Sequence, residues 1–233
     1  MPKAKGQTMT AQAYEQIRSD ILSGRLKPGQ KIKISDLVAL LGFSLGAVRE
    51  ALSRLSSEGL AITETNKGFS VAPITEADLV DLTRTRILIE TECLKSAIQH
   101  GDLKWETGIV STLFEVTRIP VYDPADPAAL NPDWVDAHQR FHEALVAACD
   151  SPWLLRIRDS LFAQSERYRS ATASISRLQR DLNGEHRAIA DAAIARDTDA
   201  AVSAMRAHLS QTRKILLDAH LAQDGQPTAA AAS

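Results

Sequence analysis

Four histidines are placed where imidazoles can act together. His138 and His142 stand four residues apart in a segment of helical periodicity, so both rings project from one helix face. His186 and His208 follow in two later segments that also read as helices. Imidazoles gathered from three helices can hold a divalent ion of borderline softness, with Zn²⁺ and Ni²⁺ the natural choices. By spacing alone, a histidine pair at i, i+4 is more often a solvated face or a satisfied core. Residue 139 is Gln, so the pair is not His-Glu-x-x-His and lacks the general base of a zinc protease. A metal-dependent enzyme using the four-histidine cluster is the alternative function. Against it, no carboxylate is placed as an obvious base and no nucleophile motif appears.

A second set of residues suits a nucleic-acid groove. Ser44, Leu45, Gly46 and Ala47 open a helical run, and Arg49 follows one turn on. Small residues permit close approach to DNA, a helix N-terminus favours a phosphate, and an arginine can fork onto guanine or the backbone. Arg49 paired with Glu50 or Glu58 on a solvated surface is the plainer alternative. Ser35, at the start of the preceding helix, joins the DNA-contacting set as that helix's cap. Lys67-Gly68 offers a cation and a close-approaching backbone at a hairpin tip.

These residues need elements to position them. Ala13, Tyr14, Ile17, Ile21 and Leu22 recur at helical spacing from Thr10 until Gly24. Leu26-Lys27-Pro28-Gly29 is a turn. Ser35 caps a helix to Leu41 that Gly42 closes, and Ser44 caps a third, with Val48, Ala51, Leu52 and Leu55 inward. Leu60–Thr63 and Phe69–Val71 have strand character and flank a polar turn. Three helices and a hairpin in this order predict a winged helix-turn-helix. After Pro73, Thr75 and Asp78 form a capping box before a helix to about His100. Further helices are predicted over Leu103–Arg118, Asp133–Cys149, Pro152–Ser170, Ser174–Arg196 and Thr198–Ala222. The fold class is therefore mainly α, an N-terminal winged helix-turn-helix over 10–73 and a C-terminal all-α bundle over 74–222. Residues 1–9 and 223–233 read as disordered ends.

Ten Lys+Arg against six Asp+Glu in residues 1–73, and 17 against 23 in residues 74–233, put a basic head on an acidic body. That asymmetry suits a head that binds a polyanion. No apolar run approaches the roughly 20 residues of a membrane span, and the N-terminus has no signal-peptide pattern. Cys93 and Cys149 show no metal or redox spacing, which fits helix packing in a reducing cytoplasm.

Ile21-Leu22-Ser23-Gly24-Arg25-Leu26-Lys27-Pro28-Gly29, Val48-Arg49-Glu50-Ala51-Leu52-Ser53-Arg54-Leu55 and Glu58-Gly59-Leu60 resemble the winged helix of GntR-type regulators. Asp78-Leu79 through Arg86-Ile87-Leu88-Ile89-Glu90 resembles the start of the all-helical FCD sensing domain in the branch named after the fatty-acid regulator, and the likeness continues to His208. The resemblance implies a homodimeric DNA-binding repressor on a palindromic double-stranded operator, controlled by a small organic acid. Leu45 and Gly46 replace the family's usual arginine and threonine, which implies a different operator. His142, His186 and His208 match the family's three metal-binding histidines, while His138 stands where an Asp is usual and Asp136 is turned away by about 200°. Either His138 replaces that carboxylate in a four-imidazole site, the favoured reading, or the site has changed and binds effector without metal. Four imidazoles bring no negative charge, so a dication there favours an anionic ligand. Arg86, matching the family's Arg-x-x-x-Glu segment, is implied as the clamp on its far end, and pairing with Glu90 is compatible with that role. Arg167, Tyr168 and Arg169 read as a solvated face that can also line a pocket. Together with the His138/His142 pair, they are similar to carbon-starvation regulators, which respond to short dicarboxylates.

Overall fold

The computed structural model describes residues 8–64, 68–172 and 180–224. The chain divides into two compact units, residues 1–75 with 166–171 and residues 76–165 with 172–233.

In the first unit the order is α1 (Met9–Leu22), β1 (Lys31–Ile32), α2 (Ile34–Leu41), α3 (Leu45–Ser57), β2 (Ala61–Glu64) and β3 (Gly68–Val71). Thr8 caps α1 by accepting from the Ala11 N–H, so the helix begins just before the periodic run. The three strands form an antiparallel sheet ordered β1-β3-β2, with Ile32 opposite Phe69 and Ala61 opposite Val71. Ala13, Ile17, Ile21, Val48, Ala51, Leu52 and Leu55 bury one face each of α1 and α3. This is the expected winged helix-turn-helix, with one addition: a two-residue β1 is too short to leave a periodic signature.

That strand also moves the start of α2. Pairing of Lys31 and Ile32 with β3 holds the chain extended as far as Lys33, whose carbonyl accepts from Asp36 and Leu37. Lys33, not Ser35, is therefore the N-cap residue, and it makes no side-chain cap bond. Ser35 lies within the first turn, exposed, with its hydroxyl on the Asp36 carboxylate. Gly42 ends the helix at φ 70°, a left-handed conformation that glycine adopts without a Cβ clash.

The second unit contains α4 (Glu76–His100), α5 (Leu103–Val116), α6 (Pro132–Val146), α7 (Pro152–Thr172) apart from its residues 166–171, α8 (Leu182–Ile194) and α9 (Thr198–Asp224). Asn131 caps α6, and Pro132 takes the position where its missing N–H costs nothing. α8 begins later than its periodicity suggests, because Asp181 accepts from the Gly184 N–H and caps it there; residues 173–179 lie outside the described residues. The core runs through Cys93, Leu94, Ile109, Phe141, Leu145, Ile189 and Met205. None of the described helices is long and apolar enough to cross a membrane.

Candidate functional site

The bundle brings all four histidines together. His138 and His142 come from α6, His186 from α8 and His208 from α9. All four are buried, with one ring nitrogen from each within 4.8 Å of the others. His138 Nε2 lies 3.1 Å from His142 Nε2. Two nitrogens on one tetrahedral ion, each bonded at about 2.0–2.1 Å, would stand roughly 3.3 Å apart. The His138–His142 pair therefore has the spacing of two ligands on one cation, while the full set, within 4.8 Å, would have to draw in to reach it. Asp136 is exposed on the other side of α6 and takes no part.

Electrostatics keep one member of the cluster unprotonated. Burial is the main force holding His142 neutral, well below the usual histidine range, and the charges of His208, His186, Arg86 and Arg158 act in the same direction. Among the described residues, His142 Nδ1 is buried without a hydrogen-bond partner. Such an atom costs about 1–3 kcal/mol; it is the ring nitrogen turned away from His138, since the nitrogen facing His138 is Nε2. His208 Nδ1 donates to Glu185 Oε2 at 2.9 Å, leaving Nε2 as the lone-pair nitrogen of that ring. Arg180 grips the same carboxylate and also donates to the His208 carbonyl. Burial works to raise the Glu185 carboxyl, but the bonds from His208 and Arg180 outweigh it and hold it at about 2.

Beside the histidines lies a buried charge cluster. Arg86 donates through Nε and Nη2 to Glu90 Oε1, both at 3.2 Å, one turn along α4. Arg158, from α7, donates through Nε to Glu90 Oε2 at 3.1 Å. Arg158 was not anticipated, although a signal existed. Leu155, Arg158, Phe162 and Ser165 follow helical spacing, and a charge within such a stripe marks a buried cation. Glu185, the residue that orients His208, was equally open to reading as the acidic neighbour of His186. Arg167 and Tyr168 are buried, so these two are not on a solvated face.

At the other end of the chain, Ser44 caps α3 by accepting from the Ala47 N–H at 3.2 Å. Leu45, Gly46 and Arg49 are exposed, and a side chain added at Gly46 would meet nothing within 4 Å. The Ala47 methyl is buried in the head instead. Glu58 is taken by Arg54 and by the Tyr14 hydroxyl, and Glu50 accepts from Thr10. Among the described residues Arg49 forms no ion pair. Gly68 opens β3 at φ 90°, whereas Lys67 lies outside the described residues.

A winged helix-turn-helix with an outward-facing third helix, in one chain with a helical unit carrying a buried polar site, defines a DNA-binding regulator. Residues 9–71 match the model of bacterial regulatory proteins of the gntR family, and residues 81–211 match the FCD domain. The chain belongs to the GntR family of bacterial regulatory proteins, in the group that carries an FCD domain. It is 36% identical to the uncharacterized HTH-type transcriptional regulator BphR of Paraburkholderia xenovorans, across 93% of this chain and 88% of that one. It is 32% identical to the HTH-type transcriptional repressor GlaR of Escherichia coli, across 84% of this chain and 90% of the relative. The solved structure of Escherichia coli McbR/YncC shares the fold at TM-score 0.73 and 18% identity, covering 92% of this chain and 100% of that one. These relatives are transcriptional regulators, and so is this chain; the enzyme alternative is set aside.

Proposed function

We propose that the protein is a cytoplasmic, homodimeric repressor whose hold on a palindromic operator is controlled by a small organic acid bound in a metal-containing FCD domain. The single observation that carries this reading is the convergence of four buried imidazoles beside a buried arginine pair. His138, His142, His186 and His208 would hold Zn²⁺ or Ni²⁺. The ion would supply a positive centre that attracts a carboxylate, and Arg86 would clamp the far end of that acid. A short dicarboxylate is the ligand this arrangement suits best.

In the head, α3 enters the major groove. Arg49 reaches a guanine or a phosphate, exposed Leu45 can touch a thymine methyl, and Gly46 leaves room for close approach. Ala47 contributes by packing α3 rather than by contact, and Ser44 by capping it. Ser35 and Gly68 approach the backbone, with Lys67 as the cation of the wing. Two heads on a two-fold axis match two half-sites. For the acid to act it must bind one arrangement of the dimer better than the other; a tenfold preference corresponds to about 1.4 kcal/mol. The repressor reading accords with the repressor among the relatives, and relief of repression by ligand is the proposed sign.

A thermal-shift screen of short mono- and dicarboxylates, with and without added Zn²⁺ or Ni²⁺, tests this directly. Expected is a metal-dependent rise in melting temperature with at least one acid, and release of promoter DNA by that acid. No response to any acid in either metal state would refute the reading.

A further inference from the structure

Charge balance around Glu90 leaves one buried positive charge over. Arg86 is 2% exposed, Glu90 0% and Arg158 1%, so two guanidiniums share one carboxylate out of water. Asp159 accepts from Arg158 Nη1 at 3.0 Å, but its side chain is 66% exposed and its charge is screened by solvent. Arg158 Nη2 is buried and has no hydrogen-bond partner among the described residues. An unpaired N–H on a buried cation is costly, and removing one partner of such a cluster typically destabilises strongly. An anion at Arg158 Nη2 would complete the arrangement.

The surplus charge also lies beside the histidines. The Arg86 and Arg158 guanidinium carbons sit 4.7 and 5.0 Å from the centre of the Phe162 ring. That ring is itself 6.2 Å from the His138 ring and 6.0 Å from the His142 ring. Phe162 is thus a shared neighbour of the two arginines and of the His138 and His142 imidazoles.

We infer that Arg158 is a second anion-binding residue of the effector site, pairing with Arg86 to hold a distal carboxylate and so selecting diacids over monoacids. The inference rests on the effector reading above and deepens it. A monoacid would satisfy the metal-facing end and leave Arg158 Nη2 unpaired. A diacid of matching length satisfies both ends, and a planar guanidinium suits a carboxylate better than an ammonium does.

The test is isothermal titration of zinc-loaded protein with succinate and glutarate, each against the monoacid of equal chain length, butyrate and valerate. Wild type is expected to bind the better diacid at least about tenfold tighter than its monoacid partner. R158M is expected to bring that ratio to within about threefold, with zinc content and monoacid affinity kept. A purely structural role for Arg158 would not move the ratio. If R158M proves insoluble, R158K supplies the readout, keeping the charge but losing the fork. Diacid affinity reduced at least threefold supports the assignment, and unchanged affinity overturns it. If wild type prefers diacids and R158M keeps that preference, the role of Arg158 is refuted while the effector reading stands. If wild type binds none of the four acids, with zinc present by elemental analysis, both fall together.

Discussion

The Nδ1 nitrogen of His208 donates to Oε2 of Glu185 at 2.9 Å, so an acidic side chain on α8 orients an imidazole on α9. A carboxylate behind a metal-binding histidine fixes its tautomer and raises its basicity. E185A is therefore expected to weaken zinc binding by about 10–100-fold, read by competition against a calibrated chelator. Unchanged affinity would mean that the bond serves only to join α8 to α9.

Removing a histidine should act more directly. H142A or H186A is expected to abolish stoichiometric zinc in protein purified without a nickel column. Stripping wild type with a chelator should lower its melting temperature, and zinc should restore it. An ion held at 100 times its dissociation constant stabilises by about 2.7 kcal/mol. If the cluster held no ion, wild type would carry no zinc and the chelator would leave its melting temperature unchanged.

Arg49 is exposed, so its loss should leave the fold intact. R49A is expected to reduce specific operator affinity by about 1–3 kcal/mol, roughly 5–150-fold, with an unchanged melting curve. The measurement is electrophoretic mobility shift on promoter DNA at fixed salt. Full-strength binding by R49A would place the recognition surface elsewhere.

Glu90 anchors two buried guanidiniums, and E90Q removes their shared buried counter-charge, leaving only exposed Asp159 beside Arg158. Breaking such a cluster costs about 3–5 kcal/mol, measurable by urea denaturation. A loss below about 1 kcal/mol, within the range of an exposed pair, would show that solvent reaches the cluster.

Zinc-stripped protein should lose stability with acid in two windows. His142 stays neutral when folded, while in the unfolded chain it takes up a proton near its ordinary 6.5. The unfolded state then binds more protons, and stability falls as pH drops below that value. Glu185 is held at about 2 against an ordinary 4.5, so its contribution is full above 4.5 and disappears as pH falls toward 2. Chemical denaturation of the stripped protein between pH 7.5 and 3 checks both windows; a flat profile would contradict them.

Much of this architecture is legible in local pattern. Val48, Ala51, Leu52 and Leu55 form a stripe that places α3 and turns Arg49 outward, because a helix face is set by spacing of 3.6 residues. The same periodicity puts His138 and His142 on one face of α6. Local pattern misses what depends on pairing between distant segments. Ser35 loses its capping role because β1 pairs with β3, residues some forty positions away. Periodicity marks which face of a helix is apolar but not which other face it meets. Only the packed bundle brings Arg158 to Glu90 across 68 residues and joins His186 and His208 to the pair on α6. Burial, which turns these ordinary polar side chains into a demanding charge cluster, belongs to the assembled tertiary structure alone.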